Sequence, residues 1–213
     1  MEAKTPFLPD TYYHLYNHAN GDENLFRTED NYLYFLHKYS QYLSPILDTY
    51  SYCLMPNHFH FLVYIKSEGE LIEFFKNNTK NSLDFENLYT VSDIVNKRVN
   101  QQFSNFLNAY AKAYNKMFAR KGAVFRTNIK RKPVNNINYF TKLIHYIHSN
   151  PVHHGFVDNI NDWRFSSYQT LCSTKDTKIE RNKVLTWFGG ERLFREFHQQ
   201  PIDIREFSNE WYF

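Results

Sequence analysis

Apolar and polar positions alternate along this chain with two periods, which divide its first two thirds into strands and helices. Short runs rich in β-branched and aromatic residues predict strands at 11–17, 46–54 and 58–65. Apolar residues three and four positions apart predict helices at 28–43, 101–121 and 135–149, with another that begins near Gly69. Pro56 and Asn57 favour a tight turn, so the second and third strands are expected to form an antiparallel hairpin.

The order of these elements predicts an α+β fold with antiparallel strands in the middle and helices packed on them. A basic stretch at 122–134 is expected to add a short strand or ribbon before the last of these helices. Residues 76–100 are rich in Asn and Asp and poor in apolar residues, which is typical of a polar surface insertion. We expect a main domain over 1–170 and a C-terminal helical extension over 171–213, with an amphipathic segment near 184–197.

Composition narrows the classes of protein that this chain could belong to. Aromatic residues make up 19% of its 213 residues, and such rings can fill a core or stack on unpaired bases. The net charge is only +3, so any basic surface for nucleic acid must be local.

Two distant cysteines, Cys53 and Cys172, form no CxxC pair, which favours a reducing, cytoplasmic setting. No apolar run reaches the roughly 18 residues of a membrane span and the N-terminus lacks a signal-peptide pattern, so we expect a soluble protein with no membrane partner.

The third predicted strand begins with a pair of histidines, His58 and His60. Residues two apart on a strand point to the same face, so both imidazoles project together while Phe59 and Phe61 point into the opposite layer. Two such imidazoles can hold one divalent ion. With 10 histidines in the chain the spacing can also arise by chance, and the alternative is one satisfied core histidine beside one surface histidine. A metal site would need a third ligand from elsewhere.

The last predicted helix could supply that ligand. Its core face carries four apolar residues, namely Phe140, Leu143, Ile144 and Ile147. Tyr146 and Asn150, four residues apart, lie together on one shoulder of that face. His145 and His148 are expected to point toward solvent. An amide can ligate a divalent ion and a neighbouring phenol can attack a phosphate, although the alternative is a half-buried tyrosine and an asparagine that caps the helix before Pro151.

Two motifs at this order and distance carry a family resemblance. The segment MPNHFHFLV at 55–63, followed by YIHSNPVHHGFV at 146–157, resembles the HUH-type single-tyrosine transposases, and most of all the REP-associated tyrosine transposases. YHLYN in the first strand, GAVFRTNIKRKPV before the tyrosine helix and WRFSSY after it fit the same family. The resemblance covers roughly residues 8–170. It implies a ferredoxin-like α+β fold with a central antiparallel sheet, and a HUH transposase-like catalytic domain at 1–170.

The resemblance also implies roles for single residues. Tyr146 matches the nucleophile, which would attack a phosphate of single-stranded or hairpin DNA to leave a 5′-phosphotyrosine and a free 3′-OH. His58, His60 and Asn150 match the ligands of a divalent metal ion, Mg²⁺ or Mn²⁺. One tyrosine per chain performs one cleavage at a time, so paired cleavages would need a homodimer or successive turnovers.

Two departures from the family pattern concern charge. The family commonly has an Arg-Gly-Asn-like stretch after the first strand, where this chain has His18-Ala19-Asn20-Gly21. It often has an arginine after the NPV segment, where this chain has His153. Both changes remove fixed positive charge near the expected path of the DNA, so the resemblance leaves open which DNA is recognised.

Basic residues are densest just before the tyrosine helix, with Tyr114, Phe118 and Phe125 among them. Basic side chains neutralise phosphates and aromatic rings stack on unpaired bases, so this stretch is the predicted DNA-binding surface. The alternative is an ordinary solvated face. Beside Lys112, the predicted DNA-binding residues are Lys116, Arg120, Lys121, Arg126, Lys130, Arg131 and Lys132.

Three hypotheses for function follow from these residues. The first is a metal-dependent transposase or endonuclease that nicks single-stranded DNA and transfers the strand. The second is a domesticated protein that binds DNA hairpins without cleaving them. The third is a metallohydrolase that uses His58 and His60, with Tyr146 in a structural role only.

Overall fold

Four antiparallel strands form one sheet in the computed structural model, which describes residues 5–78, 90–202 and 207. The strands are β1 (Thr11–His18), β2 (Leu47–Leu54), β3 (His58–Ile65) and β4 (Lys130–Val134). Their order across the sheet is β2-β3-β1-β4. A tight turn joins β2 to β3, in which the Met55 backbone N–H donates to the His58 carbonyl at 2.8 Å. The hairpin and the ferredoxin-like α+β class are therefore confirmed.

Helices cover both faces of the sheet. In the part of the chain that the structure describes, they are α1 (Glu29–Leu43), α2 (Glu68–Asn78), α3 (Val91–Met117), α4 (Ile137–His153), α5 (Tyr168–Leu171), α6 (Arg181–Phe188) and α7 (Glu191–His198), with a 3₁₀ turn at Ile160–Asp162. The helices α1 and α3 pack together on one face. The other face is covered by α4 and by the C-terminal helices. None of the helices in the described ranges combines the length and apolar character that crossing a bilayer requires.

The alternation of side chains along β3 sends its residues into two separate cores. Phe59, Phe61 and Val63 pack with α1 and α3. Leu62 packs with Ile144 and other apolar residues of α4. Burial of each such side chain stabilises the fold by about 1.5–3 kcal/mol. His58 and His60 share the parity of Leu62, so the predicted separation of the histidines from the phenylalanines is confirmed.

Residues 76–100 do not form a surface insertion throughout. Residues 91–100 form the beginning of α3, in which Val95 and Val99 are buried. The apolar residues here are few, but they fall four positions apart and continue the stripe that passes through Phe103. The stretch 79–89 lies outside the described residues.

The helix α4 is longer than the predicted 135–149, because Asn150-Pro151 does not end it. Proline lacks an N–H, but in the last turn of a helix this removes only one backbone hydrogen bond. The turn closes instead through the N–H groups of His154 and Phe156, which donate to the carbonyls of Asn150 and Pro151 at 2.9 Å each. Gly155 has a φ of 69°, and this left-handed conformation lets the chain leave the helix.

His145 and His148 are buried, with exposures of 4% and 0%, so the prediction that they point toward solvent is wrong. The C-terminal helices cover this side of α4. Nδ1 of His148 lies 2.9 Å from Nε2 of His198 in α7, and Nε2 of His148 lies 2.7 Å from the hydroxyl of Ser167. The buried ring of His148 thus contacts hydrogen-bonding partners from later in the chain at both of its nitrogens.

Candidate active site

The sheet and α4 bring the predicted histidines and tyrosine together. His58 and His60 stand at the start of β3 on the face that α4 covers, and their ring centroids are 5.2 Å apart. The ring of Tyr146 in α4 lies edge-on to His60, with centroids 5.6 Å apart and an interplanar angle of 74°. The strand that carries the imidazoles therefore faces the helix that carries the phenol.

Asn150 joins the same group one helical turn after Tyr146. It is 2% exposed, and its side-chain N–H donates to the backbone carbonyl of Tyr146 at 2.7 Å. The Asn150 side chain also lies close enough to His58 to raise the pKa of that ring, against the larger lowering by burial. All four residues predicted to form the site, His58, His60, Tyr146 and Asn150, are thus neighbours in space.

Burial controls the charge of the two strand histidines. Desolvation lowers the pKa of both His58 and His60 well below the usual range, and neighbouring imidazoles lower it further. A neutral imidazole keeps a lone pair, which is the form that binds metal ions. At neutral pH the site therefore presents two uncharged nitrogen donors.

The side chains that could hold a divalent ion here are His58, His60 and Asn150. Across the described residues, no three His, Cys, Asp or Glu side chains converge in a way that could hold a metal ion, and the third donor that the family resemblance implies is the amide oxygen of Asn150. Two imidazole nitrogens and one amide oxygen suit a first-row ion such as Mn²⁺ better than Mg²⁺, which prefers a shell of oxygens. The residues present fit such an ion.

Packing holds the ring of Tyr146 in place. The residue is 5% exposed, and Phe207 from the C-terminal extension stacks on its ring with centroids 4.5 Å apart and an interplanar angle of 14°. The ring thus lies between His60 and Phe207. Sequence reasoning missed Phe207, because no local pattern connects a phenylalanine near the C-terminus with a helix some 60 residues earlier.

Three further histidines border the site and were also missed. Nε2 of His14 lies 3.0 Å from Nδ1 of His60. The ring of His18 stacks on His58 at 5.7 Å, and the ring of His154 lies 5.0 Å from His58. Burial and, to a smaller extent, Lys132 lower the pKa of His14 to about 3. His14 and His18 share one face of β1, so the strand alternation could have linked them once the pairing of β1 with β3 was known.

The strand alternation of β4 divides the predicted DNA-binding residues between two faces of the sheet. Lys130 pairs with Tyr16 and Lys132 with His14, so both lysines lie on the face of the site. Nζ of Lys130 is 5.8 Å from the centroid of the Tyr16 ring, which in turn stacks on His60.

Two of the predicted DNA-binding arginines make contacts within the fold. Arg131 stacks on Phe7 at 3.8 Å and donates to the carbonyl of Thr5 and, at 3.0 Å, to the side-chain oxygen of Asn100. Arg120 forms an ion pair with Glu23 at 3.0 Å. Exposed positions are occupied by Lys112, Lys116, Lys121 and Arg126. The basic stretch therefore does not present all its charges on one surface.

Replacing Arg131 with alanine is expected to destabilise the protein by about 1–3 kcal/mol, because it removes a half-buried charged donor and its stacking contact. The measurement is the free energy of unfolding in urea. Lys121→Ala removes an exposed basic side chain and serves as the matched control, with an expected change within about 0.5 kcal/mol. Equal free energies of unfolding for the two variants would contradict a structural role for Arg131.

Comparisons with known proteins support the fold. No protein-family model matches the chain, and no curated protein matches it. Among solved structures, the chain is similar to a REP-associated tyrosine transposase bound to a REP hairpin. The TM-score is 0.55 at 13% sequence identity, over 80% of this chain and 83% of the other. At this identity the likeness shows a shared fold.

Proposed function

We propose that this protein is a metal-dependent enzyme that nicks single-stranded or hairpin DNA and transfers the cut strand through a 5′-phosphotyrosine on Tyr146. One observation carries the proposal: Tyr146 and Asn150 on one shoulder of α4 face His58 and His60 on β3, with the rings of Tyr146 and His60 5.6 Å apart. The fold shared with a tyrosine transposase bound to a DNA hairpin supports the same class of substrate. A protein that only binds DNA has no need of a phenol and three metal-binding side chains at one point.

The reaction is a transesterification at one phosphodiester. The phenolic oxygen of Tyr146 bonds to phosphorus, the bond from phosphorus to the 3′ oxygen breaks, and the proton lost by the phenol is matched by the one that the 3′ oxygen gains. A divalent ion held by His58, His60 and Asn150 would polarise the phosphate oxygens. Attack by another 3′-OH reverses the step and joins strands, and no ATP is needed because the phosphoester bond is conserved.

The chain's own residues prepare this step in two ways. Burial keeps His58 and His60 uncharged and so able to donate lone pairs. The helix α4 fixes Tyr146 relative to Asn150 through the 2.7 Å hydrogen bond between the Asn150 amide and the Tyr146 carbonyl. Such fixed geometry lowers the entropic cost of bringing a nucleophile to a bound phosphate.

Charge reversal of Lys130 and Lys132 is expected to weaken DNA binding, because both lysines lie on the face of the site. Each lost phosphate contact should reduce the slope of log affinity against log salt by about 0.7 for single-stranded DNA. The measurement is fluorescence anisotropy of a labelled hairpin at several salt concentrations. Lys38→Glu in α1, on the opposite face of the sheet, is the matched control. An unchanged slope in the Lys130→Glu, Lys132→Glu double variant would place the DNA elsewhere.

The proposed activity can be tested with a pool of single-stranded hairpin oligonucleotides that carry randomised flanks. The pool is labelled at one end, incubated with the protein and Mn²⁺, and separated on a denaturing gel. DNA labelled at its 3′ end should migrate with the protein, and DNA labelled at its 5′ end should give a shorter free fragment. If DNA is bound but neither product forms, the enzymatic proposal is wrong.

The second candidate is a DNA-hairpin-binding protein without cleavage activity. One observation favours it: Tyr146 is 5% exposed and stacked against Phe207, so little of this side chain is open to solvent. This candidate predicts hairpin binding without any protein-linked DNA in the same gel, with or without Mn²⁺.

A further inference from the structure

The two histidines of the candidate site are each engaged at the same ring nitrogen. Nδ1 of His60 lies 3.0 Å from Nε2 of His14. Nδ1 of His58 lies 2.8 Å from the side-chain oxygen of Asn57. Two partners from different parts of the chain thus contact the same ring nitrogen in the two histidines.

The contact with Asn57 determines where the ring proton of His58 lies, whereas the contact between His14 and His60 allows either ring to donate. A neutral imidazole has one nitrogen that donates and one that accepts. The side-chain oxygen of Asn57 can only accept, so Nδ1 of His58 carries the proton. If His14 accepts in the same way, Nδ1 of His60 also carries its proton. Nε2 is then the nitrogen with the free lone pair in both rings.

The fold supplies both partners through backbone elements that leave them little freedom. His14 stands on β1, two residues before Tyr16, which pairs directly with His60, so His14 is a diagonal neighbour on the same face. It is 0% exposed. Asn57 lies in the turn immediately before β3. Its backbone carbonyl accepts a hydrogen bond from the Ala19 backbone N–H at 2.7 Å.

We propose that His14 and Asn57 are positioning residues, which hold His60 and His58 in the Nδ1–H tautomer and so direct both Nε2 lone pairs to one divalent ion. This inference rests on the proposed function, because it assigns the two residues a task at the metal site. Partners of this kind on metal-binding histidines fix the tautomer and ring orientation, and their loss typically costs about 10–100-fold in metal affinity.

The first test reads the tautomers directly in the metal-free protein. Full-length protein labelled with ¹⁵N-histidine is studied by long-range ¹H–¹⁵N NMR at about pH 7.5, where neutral imidazoles dominate. We expect His58 and His60 of the wild type to be Nδ1–H. We expect Asn57→Ala to release His58 and His14→Phe to release His60 to the Nε2–H form. Wild-type rings in the Nε2–H form would overturn the inference.

The second test measures Mn²⁺ affinity from the electron paramagnetic resonance signal of free Mn²⁺. Asn57→Ala and His14→Phe should each weaken binding about 10–100-fold. Asn57→Asp and His14→Gln keep an acceptor at the same position, so they should recover much of the affinity. His37→Ala, which removes an exposed histidine from α1, is the control and should bind as the wild type does.

Each outcome bears on a separate claim. A folded Asn57→Ala variant with wild-type Mn²⁺ affinity would overturn the inference, and this variant lies in a partly buried turn, so it is informative even if the buried His14 position tolerates no change. A wild type that binds no Mn²⁺ would count against the proposed function. The tautomers of the metal-free protein would still decide the inference in that case.

Discussion

Replacing Tyr146 with phenylalanine is expected to abolish the covalent protein–DNA adduct and to slow nicking on the order of 10³-fold or more, as the loss of a nucleophile does. The substitution removes only the hydroxyl that would attack the phosphate. The ring keeps its contacts with His60 and Phe207, so the fold should be retained. The measurements are the single-turnover nicking rate with Mn²⁺ and the thermal unfolding midpoint.

Tyr64→Phe is the matched control for this variant. It removes a hydroxyl from the far end of β3, where Tyr64 donates to Asp10 at 2.7 Å. This variant should nick DNA as the wild type does. If Tyr146→Phe also nicks at the wild-type rate, Tyr146 is not the nucleophile, and hydrolysis by a metal-bound water at His58 and His60 becomes the better explanation.

Stability is expected to fall steeply as the pH drops below about 6.5, because several histidines are buried in uncharged form. Desolvation lowers the pKa of His145 to about 4 and that of His198 to about 3, and it lowers that of His148 well below the usual range. In the unfolded chain, histidines have their ordinary pKa of about 6.5. Below that pH the unfolded state binds protons that the folded state does not, so the stabilisation is complete above pH 6.5 and is lost as the pH falls toward the folded-state values.

The size of this effect follows from the number of histidines involved. Between its folded-state and its unfolded-state pKa, each histidine changes the free energy of unfolding by about 1.4 kcal/mol per pH unit. A domain of this size has a total stability of only about 5–15 kcal/mol. Urea midpoints measured at about pH 7.5, 6.5 and 5.5 should therefore be nearly constant at first and then fall. His145→Gln should make the decline shallower, and His37→Gln, in an exposed position, is the matched control. A midpoint that stays constant down to about pH 5.5 would contradict the burial of uncharged imidazoles.

Local sequence rules were sufficient for the parts of the site that lie on single elements. The period of two along 58–65 placed His58 and His60 on one face, and the Pro-Asn turn identified the hairpin that contains them. The helical period placed Tyr146 and Asn150 on a common shoulder of α4. The ferredoxin-like fold was implied by the resemblance and is confirmed by the strand order.

The parts that could not be predicted depend on contacts between distant segments. The burial of His145 and His148 requires α7, which follows some 40 residues later and whose docking leaves no mark on the pattern of α4. The contact of His14 with His60 requires the exact register of β1 against β3, which composition does not specify. One further result could have been predicted from a single strand. The alternation of side chains along β4 is enough to divide Lys130, Arg131 and Lys132 between two faces of the sheet.

The central claim is that Tyr146 takes up the DNA phosphate, and the most direct measurement is mass spectrometry of the protein after reaction. Wild-type protein is incubated with the hairpin pool and Mn²⁺, trimmed with nuclease and digested to peptides. We predict a peptide that carries a nucleotide joined through its 5′ phosphate to Tyr146. Cleaved DNA with the adduct on another residue, or with no adduct at all, would contradict the claim.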